Sequence, residues 1–289
     1  MPELPEVEAL ARFLDERVAG HTIVKARVAH IAALKTYDPP IDALAGRRIE
    51  RVTRRGKYLE FDTAKDGDRV WLVIHLARGG WVKWMDEVPS TPIKPTKSPL
   101  ALRIALDNKS GFDVTEMGTE KRLSVWVVRD PNDIEFVASL GPEVFDLDEA
   151  ALGALLQQAG SVQLKGALVD QRLIAGIGNA YSDDILHAAR LSPFKKANKL
   201  GAEELERLHG AITSVLTDAV ERSQGLPAAG LKQEKRSGMR VHARTGEKCP
   251  VCGDVVREVS FATKSLQYCA TCQTDGKPLA DRRMSRLLK

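Results

Sequence analysis

The stretch CPVCGDVVREVSFATKSLQYCATC (249–272) contains every cysteine of a 289-residue chain. Its spacing is C-x2-C-x16-C-x2-C, with Cys249 and Cys252 in one knuckle and Cys269 and Cys272 in the other. Two knuckles at this distance can converge on one tetrahedral Zn2+ with a β-hairpin between them. VREVSFAT (256–263) has the β-branched and aromatic content that a hairpin strand needs. Two reactive dithiol pairs are the alternative, but no strand–helix–strand pattern surrounds either CxxC. Four thiolates close the coordination shell and leave no position for water, so the spacing predicts one structural zinc ion. No cysteine remains for a disulfide elsewhere, which fits a reducing compartment.

The charge around this module is uneven. Residues 230–289 carry 13 Lys+Arg against 6 Asp+Glu, whereas the whole chain has a net charge of only +4. A basic tail on a slightly acidic body points to a polyanionic partner, nucleic acid first, against the plainer reading of a solvated charged surface. Lys264, in the hairpin, could reach such a partner or stand as an ordinary turn lysine. Acids in MPELPEVEALARF (1–13) argue against a signal peptide, and VWLVIHLA (70–77) is too short to span a membrane. These features predict an intracellular protein without a membrane partner.

Upstream of the cysteines, residues 146–223 read as helical. DEAALGALLQQAG (148–160), ALVDQRLI (167–174), NAYSDDILHAARL (179–191) and AEELERLHGAITSVLTDAVERS (202–223) each carry an apolar stripe. GLPAAGLKQEKRSGMRVHARTG (225–246) has no clear period and reads as a mobile loop. Further upstream the period changes. TIVKARVAHI (22–31), RRIERVTRRGKYLEFDT (47–63), RVWLVIHLARGGWVKW (69–84), LALRIAL (100–106) and RLSVWVVRD (122–130) are strand-like runs. They predict a β-sandwich or barrel, interrupted by a Pro-rich loop at VPSTPIKPTKSP (88–99). One helix precedes it, with Val7, Leu10, Leu14 and Val18 on one face and Gly20 at its stop.

The first residues, MPELPEVE, carry their own chemistry. Removal of Met1 would leave Pro2 with a secondary amine, and a free α-amino group has a pKa near 7.7–8.0, below that of lysine. Such an amine can attack an aldehyde-like carbon to give an iminium ion, an electron sink for elimination. Glu3 beside it could serve as general acid or base. Proline and glutamate are also ordinary first-turn residues; Pro5 and Glu6 suit that role, whereas Pro2 and Glu3 stand too early for the apolar stripe.

MPELPEVE, RRGKYL (54–59), IHLARGG (74–80), LGPEVF (140–145), DQRLIAGIGNAYSDDIL (170–186) and the four-cysteine finger, in that order, resemble the formamidopyrimidine-DNA glycosylase/endonuclease VIII family. The resemblance implies an α+β multidomain fold: an N-terminal β-sandwich with a leading helix (1–136), a helix-two-turn-helix domain (146–230) and a C-terminal β-hairpin zinc finger with a basic extension (240–289). It implies a base-excision-repair enzyme, probing damaged double-stranded DNA as a monomer in the bacterial cytoplasm. Pro2 would attack C1′ and form a Schiff base, and Glu3 would protonate the deoxyribose oxygen. Lys57 would contact phosphate near the lesion and assist catalysis. Asn179 would hold the phosphates flanking a flipped nucleotide, and Lys165 would bind phosphate.

The departures from the family pattern fall at the lesion reader. Arg78 stands where the 8-oxoguanine branch has Met, and TEKRLS (119–124) replaces DPRRFG. Lys121 and Leu123 thus occupy the void-filling Arg and Phe positions, while Arg122 is kept. Lys264 replaces the finger arginine associated with δ-elimination, losing its planar fork. The sequence therefore predicts a glycosylase and abasic-site lyase with an altered lesion range. An abasic-site lyase with little glycosylase activity, and a non-catalytic damaged-DNA-binding protein, are the other readings.

Overall fold

The structure, a computed structural model, describes residues 1–90, 98–261 and 265–280. They divide into two compact units, Met1–Leu140 with Ser223–Lys232, and Gly141–Arg222 with Gln233–Lys289.

In the first unit, α1 (Leu4–Val18) buries Val7, Leu10, Leu14 and Val18, the predicted stripe. Its cap corrects one expectation. The helix begins directly after Glu3, and the Glu3 amide donates to the Glu6 carboxylate at 2.8 Å, one half of a capping box. Glu3 therefore does belong to the helix start, because a capping residue lies just outside the first turn.

Eight strands follow: β1 (Ile23–Val28), β2 (Arg48–Arg55), β3 (Tyr58–Lys65), β4 (Asp68–His75), β5 (Gly80–Met85), β6 (Leu100–Leu106), β7 (Gly111–Glu116) and β8 (Ser124–Val128). They form two antiparallel four-stranded sheets, ordered β1-β6-β7-β5 and β2-β3-β4-β8. Phe61 of one sheet stacks on Phe112 of the other with ring centroids 5.3 Å apart, at the centre of a core that also takes in Leu59, Leu72, Ile104 and Val114. A short α2 (Glu135–Ala138) closes this part of the chain. Strand β7 has no counterpart among the predicted runs. GFDVTE looks too polar for a strand with neighbours on both sides, but Asp113 is buried against Arg103 by two hydrogen bonds, at 2.7 and 2.8 Å. A paired buried carboxylate is tolerated where a lone one is not.

The second unit holds α3 (Glu149–Gln158), α4 (Leu164–Val169), α5 (Asn179–Ala188) and most of α6 (Ala202–Ser223). The stretch predicted as helix at 167–174 ends at Val169. Gln171 then organises the turn, donating to the Val169 and Ile177 carbonyls and accepting from the Gly176 amide. Gly176 has φ +106°, which a side chain would resist. The predicted loop at 225–246 also needs correction, since it contains α7 (Leu231–Gly238). Leu231 is buried in the sandwich core, so tertiary packing supplies what the weak local period does not. The finger consists of β9 (Val256–Ser260) paired antiparallel with β10 (Ser265–Cys269), then α8 (Ala270–Gln273).

Candidate active site, lesion-facing loops and zinc centre

At the N-terminus, Pro2 is buried and Glu3 is 2% exposed, whereas Met1 is largely exposed. The same helix reaches the turn between β2 and β3. Glu8 of α1 accepts from Arg54 Nε at 2.9 Å, and Arg54 Nη1 donates to the Gly56 carbonyl at 2.9 Å. Burial alone would raise the Glu8 carboxyl pKa, but Arg54 and Arg12 outweigh it and hold it below the usual value. The carboxylate is thereby kept charged, and the turn is fastened to the helix. Lys57 sits in that turn and is 8% exposed, not the surface lysine its strand-end position would ordinarily give. Pro2, Glu3 and Lys57 are thus carried by a helix and a turn that the Glu8–Arg54 ion pair joins.

The sequence reading missed His75. It ends β4 opposite Tyr58, with ring centroids 4.8 Å apart. Burial first, then the charge of Lys57, push its pKa down to about 4. His75 is therefore a neutral ring beside a candidate catalytic lysine at physiological pH. Its signal was the His of IHL, just before a glycine turn.

That turn, ARGG, exposes Arg78. Both glycines have a steric reason: a Cβ on Gly79 would lie 2.1 Å from the Met117 carbonyl oxygen, and one on Gly80 2.1 Å from that of Leu76. Met117 donates its amide to Gly79 at 3.0 Å, which fastens the loop after β7 to this turn. At the end of β7, buried Glu116 accepts from the loop amides of Arg122 and Leu123 at 2.7 and 2.9 Å. The Lys121 ammonium folds back onto the Glu116 carbonyl at 2.5 Å. Leu123 is 2% exposed within the sandwich core. It cannot fill a void in DNA from there, which corrects its assignment to the wedge position. Met117, Thr119, Glu120, Lys121 and Arg122 of the loop are all exposed.

In the second unit, Gly178 caps α5 and Asn179 is its first helical residue. Its side-chain amide donates to the Ser265 carbonyl of β10 at 3.1 Å. Lys165 differs from the expectation of a phosphate contact. Its ammonium donates to Asp183 at 2.6 Å, Ser182 at 2.8 Å and the Asn179 carbonyl at 3.0 Å. Three acceptors occupy all three N–H donors, so Lys165 braces α5 from within the domain. Lys264 lies outside the described residues.

The sulfur atoms of Cys249, Cys252, Cys269 and Cys272 all lie within 4.8 Å of one another. Cys249 and Cys272 are 3.8 Å apart, and Cys252 and Cys269 3.4 Å. A tetrahedron of sulfurs about 2.3 Å from a central zinc has edges of about 3.8 Å, so the cluster fits one structural Zn2+. No helix among the described residues is long and apolar enough to cross a membrane.

Three family profiles match the chain in order: the formamidopyrimidine-DNA glycosylase N-terminal domain at residues 1–119, the formamidopyrimidine-DNA glycosylase H2TH domain at 140–228, and the zinc finger found in FPG and IleRS at 246–274. A formamidopyrimidine-DNA glycosylase of Exiguobacterium sibiricum is 34% identical over 94% of this chain and 99% of its own length. The chain belongs to the formamidopyrimidine-DNA glycosylase family. An uncharacterized formamidopyrimidine-DNA glycosylase-like protein of Mycobacterium tuberculosis is 63% identical over 52% of the chain and 95% of its own. Among solved structures, a MutM in complex with DNA containing carbocyclic 8-oxo-G superposes with a TM-score of 0.81 at 26% identity, covering 94% of this chain and all of that one. The Lactococcus lactis Fpg in complex with DNA containing an abasic site gives 0.82 at 26% identity with the same coverage. Family membership accounts for the sandwich, the two-turn helical motif and the zinc finger together.

Proposed function

We propose that this chain is a bifunctional DNA glycosylase and abasic-site lyase that removes oxidised or ring-opened bases from damaged double-stranded DNA. The carrying observation is the N-terminal corner: Pro2 and Glu3 stand at the head of a helix that also fixes the turn of Lys57 through Glu8 and Arg54. Full-length similarity to formamidopyrimidine-DNA glycosylases supports the reading.

With Met1 removed, the Pro2 nitrogen adds to C1′ of a flipped nucleotide. The C1′–N bond breaks, and the base leaves with the bonding pair and gains a proton. Glu3 delivers a proton to the ring oxygen, the sugar opens, and the nitrogen lone pair completes an iminium ion. The iminium acidifies C2′. Loss of a C2′ proton expels the 3′ phosphate, and a further elimination can expel the 5′ phosphate. Water then hydrolyses the iminium and frees the amine. Lys57 and Asn179 hold phosphates around the flipped nucleotide, whose extrusion costs a few kcal/mol. Arg78, Lys121, Arg122 and Lys264 line the proposed DNA-facing set, and Lys165 leaves it. The enzyme works as one copy on the nucleoid DNA of a bacterial cytoplasm, a placement supported by its bacterial relatives.

End-labelled duplexes carrying 8-oxoguanine, formamidopyrimidine, a saturated pyrimidine or an abasic site test the reading. Nicking at base lesions that falls by about 10^3-fold or more in Pro2→Gly is the expected result. Nicking of the abasic duplex alone would favour the lyase, a reading that the core-buried Leu123 independently supports. Lesion binding without nicking, unchanged in Pro2→Gly, would leave only a DNA-binding protein.

A further inference from the structure

Helix α5 meets the finger along its whole length. At its start, Asn179 donates to Ser265. In its middle, Asp184 accepts the amides of Arg240, Val241 and His242 at 2.6, 3.0 and 3.1 Å, and Asp183 bonds the His242 ring at 2.8 Å. In its last turn, His187 is 2% exposed, and its Nε2 lies 3.2 Å from Cys249 Sγ. Its Nδ1 lies 3.4 Å from Arg240 Nε.

These two contacts fix the proton on the ring. A guanidinium Nε–H has no lone pair to offer, so Arg240 donates and Nδ1 accepts. The remaining ring proton then sits on Nε2. A zinc-bound cysteine is a thiolate with no hydrogen of its own, so the contact at Cys249 must run from the ring to the sulfur. Both ends of the imidazole require the same tautomer. Cys249 is itself buried beside Val241 and Val256, with no water-rich surface to share its negative charge.

We propose that His187 is an outer residue of the zinc centre, donating Nε2–H to the Cys249 thiolate and thereby joining metal occupancy to the position of α5. A neutral donor stabilises the doubly negative tetrathiolate without competing for the metal, and partners of metal ligands typically change affinity 10–100-fold when removed. His187 does not ligate zinc, and its role is independent of the chemistry at Pro2. Because α5 also carries Asn179, loss of the metal releases the far end of the same helix from a shared anchor.

The test uses zinc-loaded full-length protein and follows zinc transfer to a chromogenic chelator. His187→Phe keeps a ring of similar volume but has no donor, whereas His187→Gln can place an amide N–H near the sulfur. Release about 10–100-fold faster in His187→Phe, with His187→Gln closer to wild type, is the expected pattern. The reverse order, or wild-type rates in both, would overturn the proposal and leave His187 a packing residue. A spectrum of the wild-type protein with 15N-labelled histidine needs no variant. A neutral His187 protonated at Nε2 is required, and an Nδ1–H tautomer would refute the hydrogen bond to sulfur.

Discussion

Two parts of the sandwich unit treat their family positions in opposite ways. At the N-terminal corner, the helix and the turn that carry the candidate catalytic residues are fastened by part-buried polar contacts, Glu8 of α1 to Arg54 and, within the turn, Arg54 to the Gly56 carbonyl. In the loop after β7, Leu123 turns into the core, while Lys121 stays exposed with its ammonium on the Glu116 carbonyl. The difference is one of constraint. A residue in a tight turn fastened to a helix keeps its direction, because moving it breaks a charge-assisted bond in a poorly solvated place. A loop residue follows whichever partner is nearest, and here Glu116 collects two amides of the loop. A family position in the fastened turn is thus constrained in direction, whereas one in the loop is not.

The contrast can be broken most forcefully at Leu123. As a core residue, Leu123→Ala should cost about 3 kcal/mol from lost burial and the cavity left behind. As an exposed wedge it would cost almost nothing in stability while weakening lesion cleavage. Thermal unfolding alongside cleavage of an abasic duplex separates the two, and an unchanged Tm would contradict the fold of this loop.

His75 sharpens the other side of the comparison. Its folded pKa of about 4 lies below the unfolded 6.5, so the unfolded chain binds the extra proton first. Stability should therefore fall as pH drops from about 6.5 to about 4, by on the order of 2 kcal/mol from this group. His75→Gln should flatten that part of the pH–stability curve measured by urea unfolding. A curve that keeps its full slope in the variant would show that His75 is not held neutral beside Lys57.

The smallest effect concerns the base opposite the lesion. With its ammonium on the Glu116 carbonyl, Lys121 offers no planar fork to a cytosine. Excision of 8-oxoguanine should then vary by less than about tenfold across the four opposite bases, within about 1.4 kcal/mol. A strong preference for cytosine would mean that Lys121 leaves its carbonyl on binding DNA.

Much of this was readable from residues alone. The stripe of α1, most of the strands and the cysteine cluster follow from local periodicity and spacing. What stayed hidden depended on pairing between separate elements. Strand β7 needs Arg103 to make Asp113 acceptable, α7 needs the sandwich core to receive Leu231, and Lys165 looks like a phosphate ligand until Asp183 and Ser182 surround it. His187 was invisible for the same reason, since its partner Cys249 is 62 positions away. Neither residue type nor local pattern announces such a contact.

The central claim is that the Pro2 nitrogen is the nucleophile. Borohydride reduction of the protein on lesion-bearing duplexes, followed by peptide mapping, addresses it directly. The account predicts a covalent adduct on the N-terminal peptide at Pro2, formed only after Met1 is removed. An adduct on a lysine, or none on any duplex with zinc-loaded and Met1-processed protein, would contradict it.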